Sequence, residues 1–344
     1  MTQPDEIYMQ RALQLAALGK FSAAPNPMVG AVIVHESEII GEGYHRKYGE
    51  AHAEVNAINS VTDISLISES TIYVTLEPCS HFGKTPPCAD LIIKHNFKKV
   101  VICNLDPFEK VAGRGIEKLK EAGIEVESGC LESFGRYLNR RFFCFHEKKR
   151  PFIVLKWAES KDGFIGKKEE QVWLTNQISK QLVHLWRAEE AAILVGKNTA
   201  LLDNPELTIR ESAGKNPLRV LVDKNLAVPS DSKIYNNKSN TIVLNSFKTK
   251  QEHNIDYIKI DFEKNIPVQV GKVCFNQNIT SIIIEGGANT LQQFVDSNLW
   301  DEARVFSTEK ELQNGIKKPL FDGKIERIEN LENDTLNIYS NTKA

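Results

Sequence analysis

Apolar residues recur at helical spacing from Pro4 to Leu18, at Ile7, Met9, Leu13, Ala16 and Ala17, so the chain opens on an amphipathic helix. Gly19 follows where a C-cap belongs. Short apolar, β-branched runs then predict strands at Met28–Val34, Thr71–Leu76 and Lys99–Asn104, with helical stretches near His52–Asn59, Cys88–His95 and Gly115–Ala122 between them. A strand at Ile124–Glu127 and a helix from Leu131 to Arg140 complete this part. The charged, turn-prone run Glu147-Lys-Lys-Arg-Pro151 reads as a boundary. Strand and helix alternate, which predicts an α/β unit with a largely parallel sheet covered by helices.

The second half repeats the pattern. Phe152–Trp157, Ala191–Val195, Leu218–Val222 and Ser281–Glu285 read as buried strands, and Gln177–Glu189 and Ala288–Asn298 as helices. Residues 223–270 carry weak strand signals among many Asn, Lys and Ser, and Lys310–Ala344 reads as an edge strand and tail. No period of solenoid length repeats. Two domains are expected, residues 1–147 and 148–344.

Composition narrows the function. The 43 Lys and Arg against 45 Asp and Glu give a net charge of −2, with both signs interspersed, so no broad basic surface points to nucleic acid. No stretch approaches the roughly 18 uninterrupted apolar residues of a membrane-spanning helix. An acidic start without a basic, then apolar, leader predicts a cytoplasmic protein. Six cysteines in 344 residues are too sparse for a disulfide framework. Cys103, Cys130, Cys144 and Cys274 read as small buried hydrophobes, whereas Cys79 and Cys88 belong to a local cluster.

That cluster is His52-Ala-Glu54 together with Glu77-Pro-Cys79 and, nine positions on, Cys88. One imidazole and two thiolates suit a tetrahedral Zn²⁺ whose fourth position is left for water, the arrangement of a catalytic site. Glu54 is the candidate proton shuttle, yet residues two apart on a helix point to different faces. The pair converges only if the metal lies beyond the helix N-terminus. A strand running into Pro78-Cys79, and Pro86-Pro-Cys88 opening the next helix, bring both sulfurs to such a point, where unpaired N–H groups favour thiolates. The pattern is that of the His/Cys/Cys zinc deaminases with a non-ligating Glu, except that eight residues separate the cysteines where two are usual.

At Pro25-Asn-Pro-Met-Val-Gly30, His52-Ala-Glu54 and Glu77-Pro-Cys-Ser-His-Phe-Gly-Lys-Thr-Pro-Pro-Cys88 the chain resembles the deaminase half of bifunctional riboflavin-biosynthesis proteins. The reductase half is matched by Lys156-Trp-Ala-Glu-Ser-Lys-Asp-Gly163, Trp173-Leu-Thr175, Ala192-Ile-Leu-Val-Gly196, Asp203-Asn-Pro-Glu-Leu-Thr208 and Glu285-Gly-Gly287. The resemblance implies a cytidine-deaminase-like three-layer α/β/α domain followed by a dihydrofolate-reductase-like α/β domain. It implies two reactions: hydrolytic deamination of 2,5-diamino-6-ribosylamino-4(3H)-pyrimidinone 5′-phosphate, then NADPH reduction of the ribosyl chain to ribityl. Carried over residue by residue, it makes His52, Cys79 and Cys88 the zinc ligands and Glu54 the proton shuttle. Asn26, His45 and Asp106 become substrate contacts, and Lys84 a contact to the substrate phosphate. A homo-oligomer is expected. On the residues alone, Asn26 and His45 also fit turn geometry and ordinary packing, and Lys84 a solvated loop. Phe108 stands where the family commonly has Asn.

In the second half, Glu285-Gly-Gly-Ala-Asn-Thr290 ends a strand and opens a helix, which suits a cofactor pyrophosphate as well as an ordinary strand-to-helix turn. The resemblance places Ala158, Trp173, Thr199, Asp203 and Gly287 on NADPH, and Arg187, Leu207, Arg210 and Glu285 on substrate. Arg187 and Arg210 read as phosphate forks. Lys156 and Glu285 are expected nearest the chemistry, as a cation and a carboxylate flanking the ribose carbon. Trp173 as core, Arg187 as a solvated helix residue and Lys156 as a strand-edge charge are the plainer readings. Gln171 and Lys224 stand where the family commonly has Ser, and Lys224 would favour a 2′-phosphate. Two other functions fit the same residues less fully: a nucleoside or nucleic-acid deaminase with a non-catalytic second half, and a binding protein with a structural zinc.

Overall fold

The structure is a computed structural model and describes residues 3–80, 86–108 and 113–343. The chain divides into two compact units, Met1–Lys148 and Lys149–Ala344.

In the first unit the elements run α1 (Gln3–Ala17), β1 (Gly30–His35), β2 (Glu38–Tyr44), α2 (Ala53–Asn59), β3 (Thr71–Leu76), α3 (Cys88–Lys94), β4 (Lys99–Asn104), α4 (Arg114–Glu121), β5 (Glu125–Ser128), α5 (Glu132–Leu138) and α6 (Arg140–Lys148). The sheet order is β2-β1-β3-β4-β5. Period-two alternation splits the apolar side chains between two faces. Ala31, Ile33, Ile72, Val74, Val100 and Ile102 pack on α2, α3 and α4; Val32, Val34, Tyr73, Val101 and Cys103 pack on α1. The result is a three-layer unit.

Several sequence expectations are corrected here. Only β3, β4 and β5 are parallel, because β1 runs antiparallel to both neighbours. The unforeseen strand β2 pairs with β1 through a tight turn at Glu36-Ser37, both with positive φ; Gly41 and Gly43 interrupt its apolar pattern. Ile7 and Ala17 lie exposed, and α1 instead buries Asp5, Met9, Ala12, Leu15 and Ala16. Small alanines let the helix backbone approach the sheet, and the Asp5 carboxylate accepts a 2.8 Å hydrogen bond from the Tyr73 hydroxyl. Gly19 is no left-handed cap: a Cβ there would lie 2.9 Å from the His45 carbonyl oxygen. The helix expected from Leu131 to Arg140 breaks at Asn139, whose side chain bonds both the N–H and the carbonyl of Met28 at 2.8 Å. Its second half, α6, runs into the stretch read as a boundary.

Gly30, which closes the Pro25–Gly30 motif, has a packing role. A Cβ there would lie 2.0 Å from the Ala12 carbonyl oxygen. Gly30→Ala therefore destabilises the first unit by about 1–3 kcal/mol through overpacking, read as a lowered midpoint in urea.

The second unit runs β6 (Phe152–Glu159), β7 (Phe164–Gly166), α7 (Gln177–Glu189), β8 (Ala192–Gly196), α8 (Lys197–Asp203), β9 (Leu218–Val222), β10 (Thr241–Asn245), β11 (Lys250–Glu252), β12 (Ile255–Lys259), α9 (Ile266–Asn276), β13 (Ser281–Ile284), α10 (Ala288–Asp296), β14 (Glu302–Thr308), β15 (Ile316–Lys317), β16 (Lys324–Leu331) and β17 (Asp334–Ser340). Ten strands form one sheet in the order β11-β12-β10-β9-β8-β13-β6-β14-β17-β16. Its middle, from β12 to β14, is parallel. One face packs on α9 and α10 through Leu155, Trp157, Leu194, Ile284, Val270 and Phe294. On α7, Trp186 stacks on Phe306 of β14 at 5.3 Å. The weak signals of 223–270 are real strands. Lys310–Ala344 is more than an edge strand and tail: β16 and β17 form a hairpin along β14. The Asp334 carboxylate accepts from the Ser179 hydroxyl and the Asn176 N–H, which fastens that hairpin to the start of α7.

Candidate active sites

In the first unit, β3 and β4 run parallel and end side by side, with the Glu77 N–H bonded to the Asn104 carbonyl at 2.9 Å. Chain leaving the carboxyl ends of parallel strands builds the site. His52 is the N-cap of α2 and Cys88 the first residue of α3, so both stand at helix starts. Cys79 joins them from the turn after β3. His52 Nδ1 lies 3.2 Å from Cys88 Sγ and 3.6 Å from Cys79 Sγ, and the Cys88 N–H donates to Cys79 Sγ at 3.3 Å. All three donor atoms fall within 4.8 Å of one another. One nitrogen and two sulfurs at that spacing fit a tetrahedral zinc with a fourth position open. Hydrogen bonds from Cys88 and His52 pull the Cys79 thiol down to about 4, against burial.

Glu54 stands in the first turn of α2 and is buried. Burial pushes its carboxyl up to about 7, with the neighbouring Cys79 adding, and it meets the Cys88 side chain. The helix-face objection is met by position: His52 precedes the helix and Glu54 follows its first residue, so both stand at the helix start. Asn26 Nδ2 lies 3.1 Å from His45 Nε2, and the His45 ring meets the His52 ring edge-on at 5.6 Å. Burial lowers the His45 pKa, and its Nδ1 lies 3.1 Å from the Ala51 carbonyl. Burial raises Asp106 to about 6, although its carboxylate accepts from the Phe108 N–H at 2.8 Å. Because Phe108 makes that bond with its backbone, the turn survives the loss of Asn; the Phe108 ring packs edge-on against His146 at 5.3 Å. Lys84 lies outside the described residues.

In the second unit Gly196 and Glu285, at the carboxyl ends of β8 and β13, come level with Lys156 in the adjacent strand β6. Arg187 on α7 grips Glu285 bidentately, Nε to Oε1 at 2.9 Å and Nη2 to Oε2 at 2.8 Å. Its fork is thus turned toward Glu285 rather than held open for a phosphate. Burial opposes the charge on Glu285, but Arg187 and then Lys156 outweigh it and hold the carboxyl at about 2. Among the described residues, the one ion pair of Lys156 Nζ is a long 3.9 Å contact to Glu285, with the Phe306 ring centroid at 5.9 Å, and burial lowers its pKa. A buried ammonium with donors to spare calls for a further acceptor.

Gly287 caps α10, and its N–H donates to Thr199 Oγ1 at 3.0 Å. A Cβ on Gly286 would sit 3.1 Å from the Gly196 nitrogen, so the glycines let two strand-to-helix turns meet. This close backbone approach at the start of α10 fits a dinucleotide phosphate. Trp173 is 65% exposed, which removes it from the core; its carbonyl accepts from Lys310 Nζ at 2.7 Å. Asp203, at the end of α8, is raised by burial. Ala158 is half-buried on β6, and Arg210 and Gln171 are exposed. Leu207 is buried in the left-handed region at φ 55°, a strained placement for a leucine. Lys224 Nζ pairs with Glu263 at 3.1 Å, so its charge is already engaged.

Two residues escaped the sequence reading. Glu77 opens the Glu77–Cys88 motif, and its residue type and spacing alone carry no sign of a separate role. His184, one turn before Arg187, is buried, its Nδ1 has no hydrogen-bond partner among the described residues, and its pKa is lowered by burial, Arg187 and Arg210. Its spacing from Arg187 was the available signal.

Fold and sites together define a two-activity enzyme, a zinc-binding deaminase unit followed by a reductase unit. Residues 2–104 match the cytidine and deoxycytidylate deaminase zinc-binding region, and residues 151–333 match the RibD C-terminal domain. The chain belongs to the RibD family and is a bifunctional enzyme of riboflavin biosynthesis. It is 39% identical to the riboflavin biosynthesis protein RibD of Aquifex aeolicus, over 91% of this chain and 89% of that one. For the Escherichia coli protein of the same name the identity is 36%, over 89% and 88%. Among solved structures, RibD of Acinetobacter baumannii superposes with a TM-score of 0.90 at 31% identity, covering 99% of both chains. A deaminase/reductase from Thermotoga maritima gives 0.88 at 34%, covering 98% of both. No helix among the described residues is long and apolar enough to cross a membrane.

Proposed function

We propose that residues 1–147 deaminate 2,5-diamino-6-ribosylamino-4(3H)-pyrimidinone 5′-phosphate, and that residues 148–344 reduce the ribosyl chain of the product to give 5-amino-6-(5-phosphoribitylamino)uracil. The observation that carries the first step is the convergence of His52, Cys79 and Cys88 at two helix starts with a buried, non-ligating Glu54. Zinc held by these three supplies the Lewis acidity that makes water nucleophilic near neutral pH. Glu54 takes the proton that water loses and delivers it to the departing amino group, which leaves as ammonia. Asn26, His45 and Asp106 orient the pyrimidine and ribose, and Lys84 meets the phosphate.

NADPH supplies the hydride for the second step, held by Ala158, Trp173, Thr199, Asp203 and Gly287. Lys156 holds a proton for the oxygen that leaves the ribose carbon, and Glu285, itself held by Arg187, is the carboxylate that faces that ammonium. Leu207, Arg187 and Arg210 complete the substrate site, with Arg210, the exposed one of the two, left to reach the phosphate. The only partners in this reading are small molecules, in the cytoplasm, with a homo-oligomer expected from the family resemblance.

Metal removal tests the division of labour. Dialysis against a chelator is expected to abolish ammonia release and leave NADPH oxidation on the pre-deaminated substrate intact, with zinc restoring the first. Loss of both activities together would contradict it.

A further inference from the structure

Glu77 stands between β3 and the Pro78-Cys79 turn, and its side chain is only 3% exposed. Its carboxylate accepts three backbone N–H bonds: Oε2 from Asp106 at 3.3 Å and from Gly113 at 3.0 Å, and Oε1 from Gly115 at 3.0 Å. Among the described residues no lysine or arginine pairs with it. The charge is balanced by peptide dipoles, and the bonds it makes are charge-assisted. A single carboxylate thus clasps both Asp106 and the start of α4, and ties them to the turn that carries Cys79. The clasp is tight on its far side as well. Gly113 adopts φ +85°, and a Cβ on Gly115 would lie 2.2 Å from the Pro78 carbonyl oxygen, so α4 starts hard against the turn that carries Cys79.

We infer that Glu77 is a positioning residue of the deaminase, fixing Asp106 relative to the Cys79 turn by accepting its backbone N–H together with those of Gly113 and Gly115. The inference rests on the proposed contact of Asp106 with the substrate. It explains why both oxygens are used as acceptors. A glutamine must turn its amide nitrogen either toward Gly115 or toward the pair Asp106 and Gly113, so at least one of the three bonds is lost and a buried donor is left unpaired. A displacement of about 1 Å at a substrate contact costs as much as 10²-fold in rate.

The test is a double-variant cycle on Glu77→Gln and Asp106→Asn, reading kcat and KM for ammonia release. Zinc content and NADPH oxidation on pre-deaminated substrate are followed in each protein. Glu77→Gln is expected to lower kcat/KM for ammonia release by about 10- to 100-fold with zinc and reduction unchanged. The double variant is expected within about threefold of Asp106→Asn alone, since coupled residues are not additive. Multiplying losses, or zinc lost in step with activity, overturn the inference while leaving the Asp106 contact standing. An Asp106→Asn protein with unchanged ammonia release removes that contact and the inference with it. If Glu77→Gln does not fold, Glu77→Asp takes its place in the cycle: it keeps the charge, is one methylene short of the three donors, and is held to the same non-additivity.

Discussion

Glu54→Gln is expected to lose ammonia release by about 10²–10⁴-fold, the contribution of a positioned acid–base group, while zinc stays bound. The substitution keeps the shape of a buried side chain in the first turn of α2 and removes only its capacity to carry a proton. His52, Cys79 and Cys88 are untouched, so metal content measured on the same preparation separates this loss from loss of the site. Reduction of pre-deaminated substrate should persist, because Lys156 and Glu285 belong to the other unit. A variant that releases ammonia at the parent rate would remove Glu54 from the mechanism.

Glu285→Gln is expected to abolish NADPH oxidation and to destabilise the second unit by about 3–5 kcal/mol, the cost of leaving buried charge without its partner. Arg187 would lose the counter-charge for the two donors now on Glu285, and Lys156 would lose the only carboxylate it pairs with among the described residues. The same pair sets a pH dependence. Arg187 and Lys156 hold Glu285 at about 2, below its ordinary 4.5. Its contribution to stability is therefore fully present above pH 4.5 and is lost as the pH falls toward 2. Acid unfolding of the second unit should show this slope between pH 4.5 and 2, and Glu285→Gln should remove it. An unchanged acid limb would mean that the ion pair does not form in solution.

The legible parts of the molecule were those written in local pattern. The parallel strands, α7 and the zinc cluster follow from apolar periodicity and from ligand types at telling positions. The departures have tertiary causes. No periodicity in α1 reveals that it presents alanines to the sheet, because the reason is a backbone crossing at Gly30. The break at Asn139 is set by Met28, more than a hundred residues away. In β2, two glycines hide a strand. At the sites, the convergence of His52, Cys79 and Cys88 was readable from sequence, but the partner each charged side chain takes was not. Arg187 read as a phosphate fork, yet its partner is Glu285, close only because α7 lies across the end of β13. Glu77 was invisible for the same reason, since its three donors, Asp106, Gly113 and Gly115, lie 29, 36 and 38 residues downstream.

The central claim is that both sites act in sequence on one substrate. Its most direct measurement is NADPH consumption on adding the diaminopyrimidinone ribosylamine phosphate to zinc-replete protein, with Glu54→Gln alongside. The account requires oxidation in the parent protein, preceded by ammonia release, and none in the variant until pre-deaminated substrate is supplied. Ammonia release with NADPH untouched in the parent would contradict the reductase, and NADPH oxidation in Glu54→Gln without added product would contradict the order.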